Sequence, residues 1–357
     1  MDLFFVVPAL SAGFTVLAIL LVLLILGVHA KGQSQRRLEA RFRNAATPVV
    51  DRYLAGSSPL EEAVAALKTH LPAALALLLD RPETSHPGEK DRLRTLFRSL
   101  PGKEDQLAGL EDNDPDIRAQ NAQLLGFTGD ESTIPALAKV LDDGSPAVRL
   151  AAAHSLALLG HSRAVPSILQ NPDFAGNMPA ERVVEVLVQF GTGAIDPLLA
   201  ALADAKIREQ TLGMVVQSCG MLQAKPAVPH LLEILRHKNP EIRRIALEAL
   251  ASIGDPSAIN PVSRLAEDPD PAVRGRVMAT LGILKASDHI PLLVRTLDDP
   301  TWEIRLSAGR ALYQMGDEGR KALEKTAAQT EDSRARGLSR QVLQTHGHVL
   351  PDGKDPR

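Results

Sequence analysis

One pattern of nineteen residues occurs three times in this chain of 357 residues. It reads DDGSPAVRLAAAHSLALLG at 142–160, EDPDPAVRGRVMATLGILK at 267–285 and DDPTWEIRLSAGRALYQMG at 298–316. A fixed internal period limits the fold more than composition does, because a recurring unit must bury its apolar face against its own copies. Two markers set the period. A proline recurs at Pro135, Pro166, Pro197, Pro229, Pro261 and Pro291, every 30–32 residues. An aliphatic residue followed by arginine recurs at Ile117-Arg118, Val148-Arg149, Ile207-Arg208, Ile242-Arg243, Val273-Arg274 and Ile304-Arg305. The arginine series skips one unit, where MPAERVVEVLVQFG (178–191) takes its place. Ala322 continues the proline register without a proline.

Each unit reads as two helices. In 134–160, Pro135 suits a first helical turn, where its missing N–H would have no partner anyway. Leu137, Val140 and Leu141 form one apolar stripe. Gly144-Ser145-Pro146 breaks the chain, and Val148, Ala152, Leu156 and Leu159 then line one face of a second helix. Gly160 is its predicted C-cap, and Lys285 replaces that glycine in the 267–285 copy. Helices this short bury a core only by stacking on their neighbours. The predicted class is all-α: an α-solenoid of about seven helix pairs over residues 110–333. The unit at 177–205 is degenerate.

These residues resemble the HEAT-like repeat family, in the short form known from phycobilin lyases. The resemblance rests on four Asp-x5-Arg pairs ahead of an Ala/Leu helix: Asp112/Arg118, Asp143/Arg149, Asp268/Arg274 and Asp299/Arg305. It implies that these eight side chains form a hydrogen-bonded ladder between repeats, with the second helices lining a groove. His237 stands at the Asp position before Arg243, so the ladder is expected to break there. It is also expected to break at 178–191. HEAT-like deoxyhypusine hydroxylases hold iron with His-Glu dipeptides, and this chain has none.

The stretch before the repeats is different in kind. Residues 3–29 contain no Asp, Glu, Lys or Arg. A bilayer core is spanned by about 20 apolar residues in a helix. Lys31, Arg36, Arg37, Arg41 and Arg43 follow at once. Basic residues stay on the cytoplasmic side, so the reading is one transmembrane helix ahead of the solenoid, amino terminus outside and repeats cytoplasmic, at the inner or plasma membrane. A cleaved signal peptide is opposed by the missing basic n-region, the long apolar run and the basic residues after it. Residues 31–57 read as a basic helix or linker, with Arg36, Arg37, Arg41 and Arg43 placed to meet anionic lipid headgroups. Ser58-Pro59-Leu60-Glu61 predicts a capping box, and 58–109 a divergent helical start of the array. Residues 334–345 predict a closing helix, and 346–357 a polar tail.

No motif for catalysis, metal or cofactor stands out. His346 and His348 are too few to hold a metal. The single cysteine, Cys219, lies in an apolar helical pattern and reads as a small core residue. Aromatics are 3% of the chain and net charge is −3, which disfavours nucleic acid. What remains is the groove. Its predicted lining is Gln123, His154, Glu248 and Arg310 at equivalent positions, with Arg244 and Arg276 adding positive charge. Trp302 reads as a core residue or inter-repeat plug, with a binding anchor as the alternative. The expectation is a non-catalytic scaffold that binds an unidentified, membrane-associated protein partner without a cofactor. The alternative is a membrane-tethered modifying protein of the phycobilin-lyase type, or another small-ligand binder.

Overall fold

A computed structural model describes residues 40–69, 73–74, 77–78, 87–100, 102–128, 130–329 and 333–346. The predicted transmembrane segment 3–29, Arg36, Arg37 and residues 347–357 lie outside the described residues. The chain divides into two compact units. One comprises Met1–Gln106 with Phe127–Asp130, the other Leu107–Gly126 with Glu131–Arg357. Among the described residues there is no strand.

The first unit contains a helix over 40–54, then Leu60–Lys68 and Pro87–Ser99. Arg41 and Arg43 are exposed on the first of these. The Arg92 Nε donates to the Leu54 carbonyl at 2.7 Å, and the Tyr53 hydroxyl donates to the Arg92 carbonyl at 3.2 Å. Phe97 stacks on Phe127, with ring centroids 5.2 Å apart. The predicted capping box does not form: Pro59 holds the N-cap position and the cap has no side-chain hydrogen bond. Leu60 begins the helix, which puts Glu61 one position short of where a capping box needs it.

The second unit is a stack of helix pairs. Its longer, second helices are α1 (Pro115–Thr128), α2 (Pro146–Leu158), α3 (Ala180–Gln189), α4 (Glu209–Met221), α5 (Pro240–Ile253), α6 (Pro271–Ile283), α7 (Trp302–Gln314) and α8 (Ser333–Thr345). Phe127 and Thr128, at the end of α1, belong to the first unit. Helices Ile134–Lys139, Val165–Gln170, Ile195–Leu202, Val228–Ile234, Ile259–Ser263, Ile290–Thr296 and Asp317–Gln329 precede α2 to α8 in turn. Six of them begin one or two residues before the marker proline rather than at it, each behind a short 3-10 turn. The residue before the helix is a buried alanine in four units, Ala164, Ala194, Ala227 and Ala258, where a larger side chain would hold the turn off its neighbour.

Burial follows the repeat. Leu125, Leu156, Leu250, Leu281 and Leu312 occupy one register and are fully buried. Each contributes about 1.5–3 kcal/mol by leaving water. Cys219 occupies the same register in α4 and is also fully buried. The second helices end in a left-handed residue at Gly160, Gly254 and Gly316, as predicted, and also at Gln223 (φ 49°) and Lys285 (φ 52°). The conformation survives without glycine because the turn into the next unit demands it. Neighbouring helices approach closely at Gly220 and Gly282, where an added Cβ would lie 2.7 Å from the Cα of Ala249 and Ala311.

Among the described residues no single helix is long and apolar enough to cross a membrane. Ala180–Gln189 with Gly191–Leu202 is apolar enough as a pair but bends by 113°. Val183, Val186, Leu187 and Leu198 in that pair are buried in the repeat core.

Candidate functional site

Two side-chain systems run along the second unit: a ladder of arginines near the starts of the second helices, and an exposed face along those helices.

Each ladder arginine stands at the fourth position of its helix. Arg118 donates from Nε and Nη2 to both oxygens of Asp143, at 2.8 and 2.9 Å, and from Nη1 to the Asp112 carbonyl at 2.8 Å. Arg243 does the same with Asp268, at 2.9 and 2.7 Å, and with the His237 carbonyl at 2.8 Å. Arg274 reaches Asp299 at 3.5 Å and the Asp268 carbonyl at 2.9 Å. Each arginine therefore meets the carboxylate of the following unit and only the main chain of its own. Asp268 is held by Arg243, not by Arg274 of its own unit. The aspartates also accept from the N–H two residues on, as at Ser145, Asp270 and Thr301, which turns the chain into the next helix. His237 performs this turn with its Nδ1, which accepts from the Asn239 N–H at 3.1 Å. Arg118 holds the Asp143 carboxyl below its usual range through these hydrogen bonds.

Two arginines of the expected ladder differ. Arg149 finds only carbonyls, at Asp143 and Asp173 (both 2.7 Å), and its Nε has no partner although the residue is only 4% exposed. Arg305 donates to the Asp299 carbonyl, reaches no carboxylate among the described residues, and leaves its Nε unpartnered. The marker Arg208, outside the four expected pairs, is the N-cap of α4, and the buried Leu212 has the ladder position. Buried Val183 has it in α3, so the ladder is interrupted in two successive units. The break does not fall at His237, because Arg243 looks forward to Asp268.

On α4 to α7 the exposed face carries grooves. Two grooves lie there, of about 440 Å³ and about 570 Å³, and Arg276 lines both. The first is also lined by Gln217, Met221, Glu248, Ser252 and Ile283, the second by Gly275, Ala279 and Ile304. Of the predicted lining, the structure brings together Arg244, Glu248 and Arg276. The Glu248 carboxylate accepts from Arg244 at 2.5 Å and forms an ion pair with Arg276 at 2.6 Å. Arg244 also holds both oxygens of Glu241, which lowers the Glu241 pKa. The positive charge expected from Arg244 and Arg276 is therefore largely met by Glu241 and Glu248. Arg310 is exposed with no ion pair. His154 pairs with Gln189 on α2 and α3, away from these grooves, and the exposed Gln123 is on α1. Trp302 is not a plug: it is 44% exposed, and the Arg305 guanidinium lies 5.5 Å from its ring centre.

Met221 and Ile283 were missed by sequence reasoning. They are 58% and 52% exposed at equivalent positions at the ends of α4 and α6. The cue was available: both fall four residues, one helical turn, after the groove positions Gln217 and Ala279. The false pair at Arg208 shifted the register of α4 and hid it.

Among the described residues no three His, Cys, Asp or Glu side chains gather to hold a metal. The Cys219 thiol is pushed up to about 12 by burial, so it is no nucleophile near neutrality. His346 does not begin a loose tail. It stacks on Tyr313 at 4.0 Å, and its ring Nδ1 lies 2.9 Å from the Val342 carbonyl.

Comparison with known proteins agrees with this architecture. The model of HEAT repeats matches residues 104–172, 195–268, 228–312 and 261–344. The phycocyanobilin lyase subunit alpha of a Nostoc species (strain PCC 7120) is 28% identical over 144 residues, covering 36% of this chain and 52% of its own. The chain thus spans about half the length of that relative. The karyopherin Kap121p bound to the SUMO protease Ulp1p aligns with a TM-score of 0.51 at 13% identity, over 84% of this chain and 41% of its own. The complex of CpcE and CpcF of phycocyanin lyase from Nostoc aligns with a TM-score of 0.26 at 18% identity, over 76% of this chain and 94% of its own. The expectation of a non-catalytic chain is corrected by the first of these relatives. It is a subunit of a lyase, so this repeat type occurs in enzymes and its presence does not argue against one.

Proposed function

Because the chain belongs to the HEAT-repeat family, we propose that it grips a protein partner at the cytoplasmic face of a membrane, through the exposed face of α4 to α7. One observation carries the reading: large apolar side chains, Met221 and Ile283, stand exposed along a groove that is also lined by the Glu248–Arg276 ion pair. Exposed apolar residues arranged in a groove mark interaction surfaces. The shared fold supports it, since Kap121p was solved in complex with another protein. The apolar run at 3–29 and the basic residues Arg36, Arg37, Arg41 and Arg43 supply the anchor and its contact with anionic headgroups.

The test is crosslinked co-purification from native membranes, with wild type beside a Met221→Ser/Ile283→Ser variant. The reading expects a partner with wild type and its loss with the variant. A partner retained equally by both refutes this face. A reporter fused after Arg357 should be active on the cytoplasmic side alone; activity on the other side refutes the topology.

A second reading comes from the lyase relative: a tethered, bilin-handling protein of the lyase type. It predicts visible absorbance after incubation with phycocyanobilin and removal of the free pigment. A colourless product refutes it.

A further inference from the structure

We infer that the partner presents an amphipathic helix to this face, with an acidic residue between two aliphatic anchors. The inference rests on the partner-binding reading above and adds the chemistry of the occupant.

The anchors come first. Met221, Ser252 and Ile283 occupy one register on α4, α5 and α6, and the outer two are large, apolar and exposed. Packed helices lie about 8–10 Å apart, so the two anchors are separated by roughly 16–20 Å. At 1.5 Å per residue, that is about 11–13 residues of a helix laid along the stack. Ser252 between them is small and polar and offers no third anchor.

Charge decides what lies between the anchors. Beyond the second turn of helices α4 to α7, Glu248 is the single carboxylate among the described residues, and Arg244 and Arg276 already share it. Arg276 meets it through one terminal nitrogen and has no further polar partner among the described residues. Among the described residues Arg310 is exposed with no ion pair. Glu241 and Glu303 sit at the other ends of their helices, about two turns away. That leaves the remaining nitrogens of Arg276 and the guanidinium of Arg310 without a carboxylate along these helices, and an acidic side chain completes them.

Backbone accounting selects a helix over an extended segment. The face is built from helix sides whose N–H and C=O groups are spent within the helices. Its equivalent positions Gln217, Glu248, Ala279 and Arg310 are not a repeated amide side chain that could serve an extended main chain step by step. An extended occupant would bury unpaired backbone groups, whereas a helix satisfies its own.

The test uses the full chain in detergent as bait for a displayed library of random peptides of about 18 residues, roughly five helical turns. Enriched peptides are expected to carry Asp or Glu between aliphatic residues about 11–13 apart. They should bind Met221→Ser or Ile283→Ser about tenfold more weakly. They should bind Arg276→Gln several-fold more weakly, with no such loss for peptides whose acid is replaced by Gln. All three sites are at least partly exposed, and an unchanged melting temperature confirms folding. No enrichment, enriched peptides without the acid, or affinity indifferent to Met221 and Ile283 overturns the inference, as does a second copy of this chain as the only occupant. If the native partner still crosslinks to this face after such a result, the partner-binding reading stands and the amphipathic acidic helix falls.

Discussion

The close contact between α6 and α7 makes a sharp prediction from two glycines of one helix. At Gly282, an alanine Cβ would lie 2.7 Å from the Cα and 2.8 Å from the Cβ of Ala311. Both struck atoms belong to or adjoin backbone, so no side-chain rotation relieves the overlap. The helices must part by about 1 Å, which costs about 1–3 kcal/mol. Alanine offsets up to about 1 kcal/mol of that through its helix propensity. The expected result for Gly282→Ala is a net loss of about 1–2 kcal/mol. Gly275, two turns earlier in α6, is the internal control. Its nearest neighbour would be the Ser307 Oγ at 3.8 Å, an ordinary contact. Gly275→Ala should therefore gain about 0.5–1 kcal/mol. Urea unfolding of the two variants beside wild type reads the difference. Equal shifts in the same direction would refute close packing as the reason for Gly282.

The left-handed residue Lys285 is exposed, so Lys285→Gly should stabilise by about 0.5–1 kcal/mol in the same assay; a loss would show that its side chain has a structural role. Arg243→Ala leaves the 7% exposed Asp268 carboxylate unpaired and should cost about 3 kcal/mol, and Arg305→Ala, which strands no carboxylate, should cost clearly less; equal losses would deny the ladder its charge pairing. Because the folded Asp143 pKa is depressed, its contribution is full above the unfolded value near 4 and fades as pH falls through the lower folded value, so Asp143→Asn should weaken urea resistance at pH 7 and flatten its decline toward pH 3; an unchanged slope would refute the linkage. Cys219 should resist a thiol reagent at pH 8 in the folded chain and react on unfolding, and rapid labelling of folded protein would contradict its burial.

The repeat was legible because stacking imposes one register on every copy. Proline spacing, the C-terminal glycines and the buried Val148, Ala152 and Leu156 all follow from it. Three things were not legible. The direction of the ladder depends on which unit an arginine faces, and Asp268 and Arg274 are near in sequence whether or not their side chains pair. The 3-10 turns leave only a buried alanine as their sign. The groove depended on a register that a spurious pair, Ile207-Arg208, had displaced by four residues.

The most direct measurement places a photo-crosslinking amino acid at single exposed positions in native membranes. Met221 and Ile283 sample the grooved face, and Glu233 and Arg295 sample the first helices of neighbouring units. The account predicts one partner band from positions 221 and 283 and none from 233 and 295. Bands of equal strength from all four, or from the first helices alone, would contradict it.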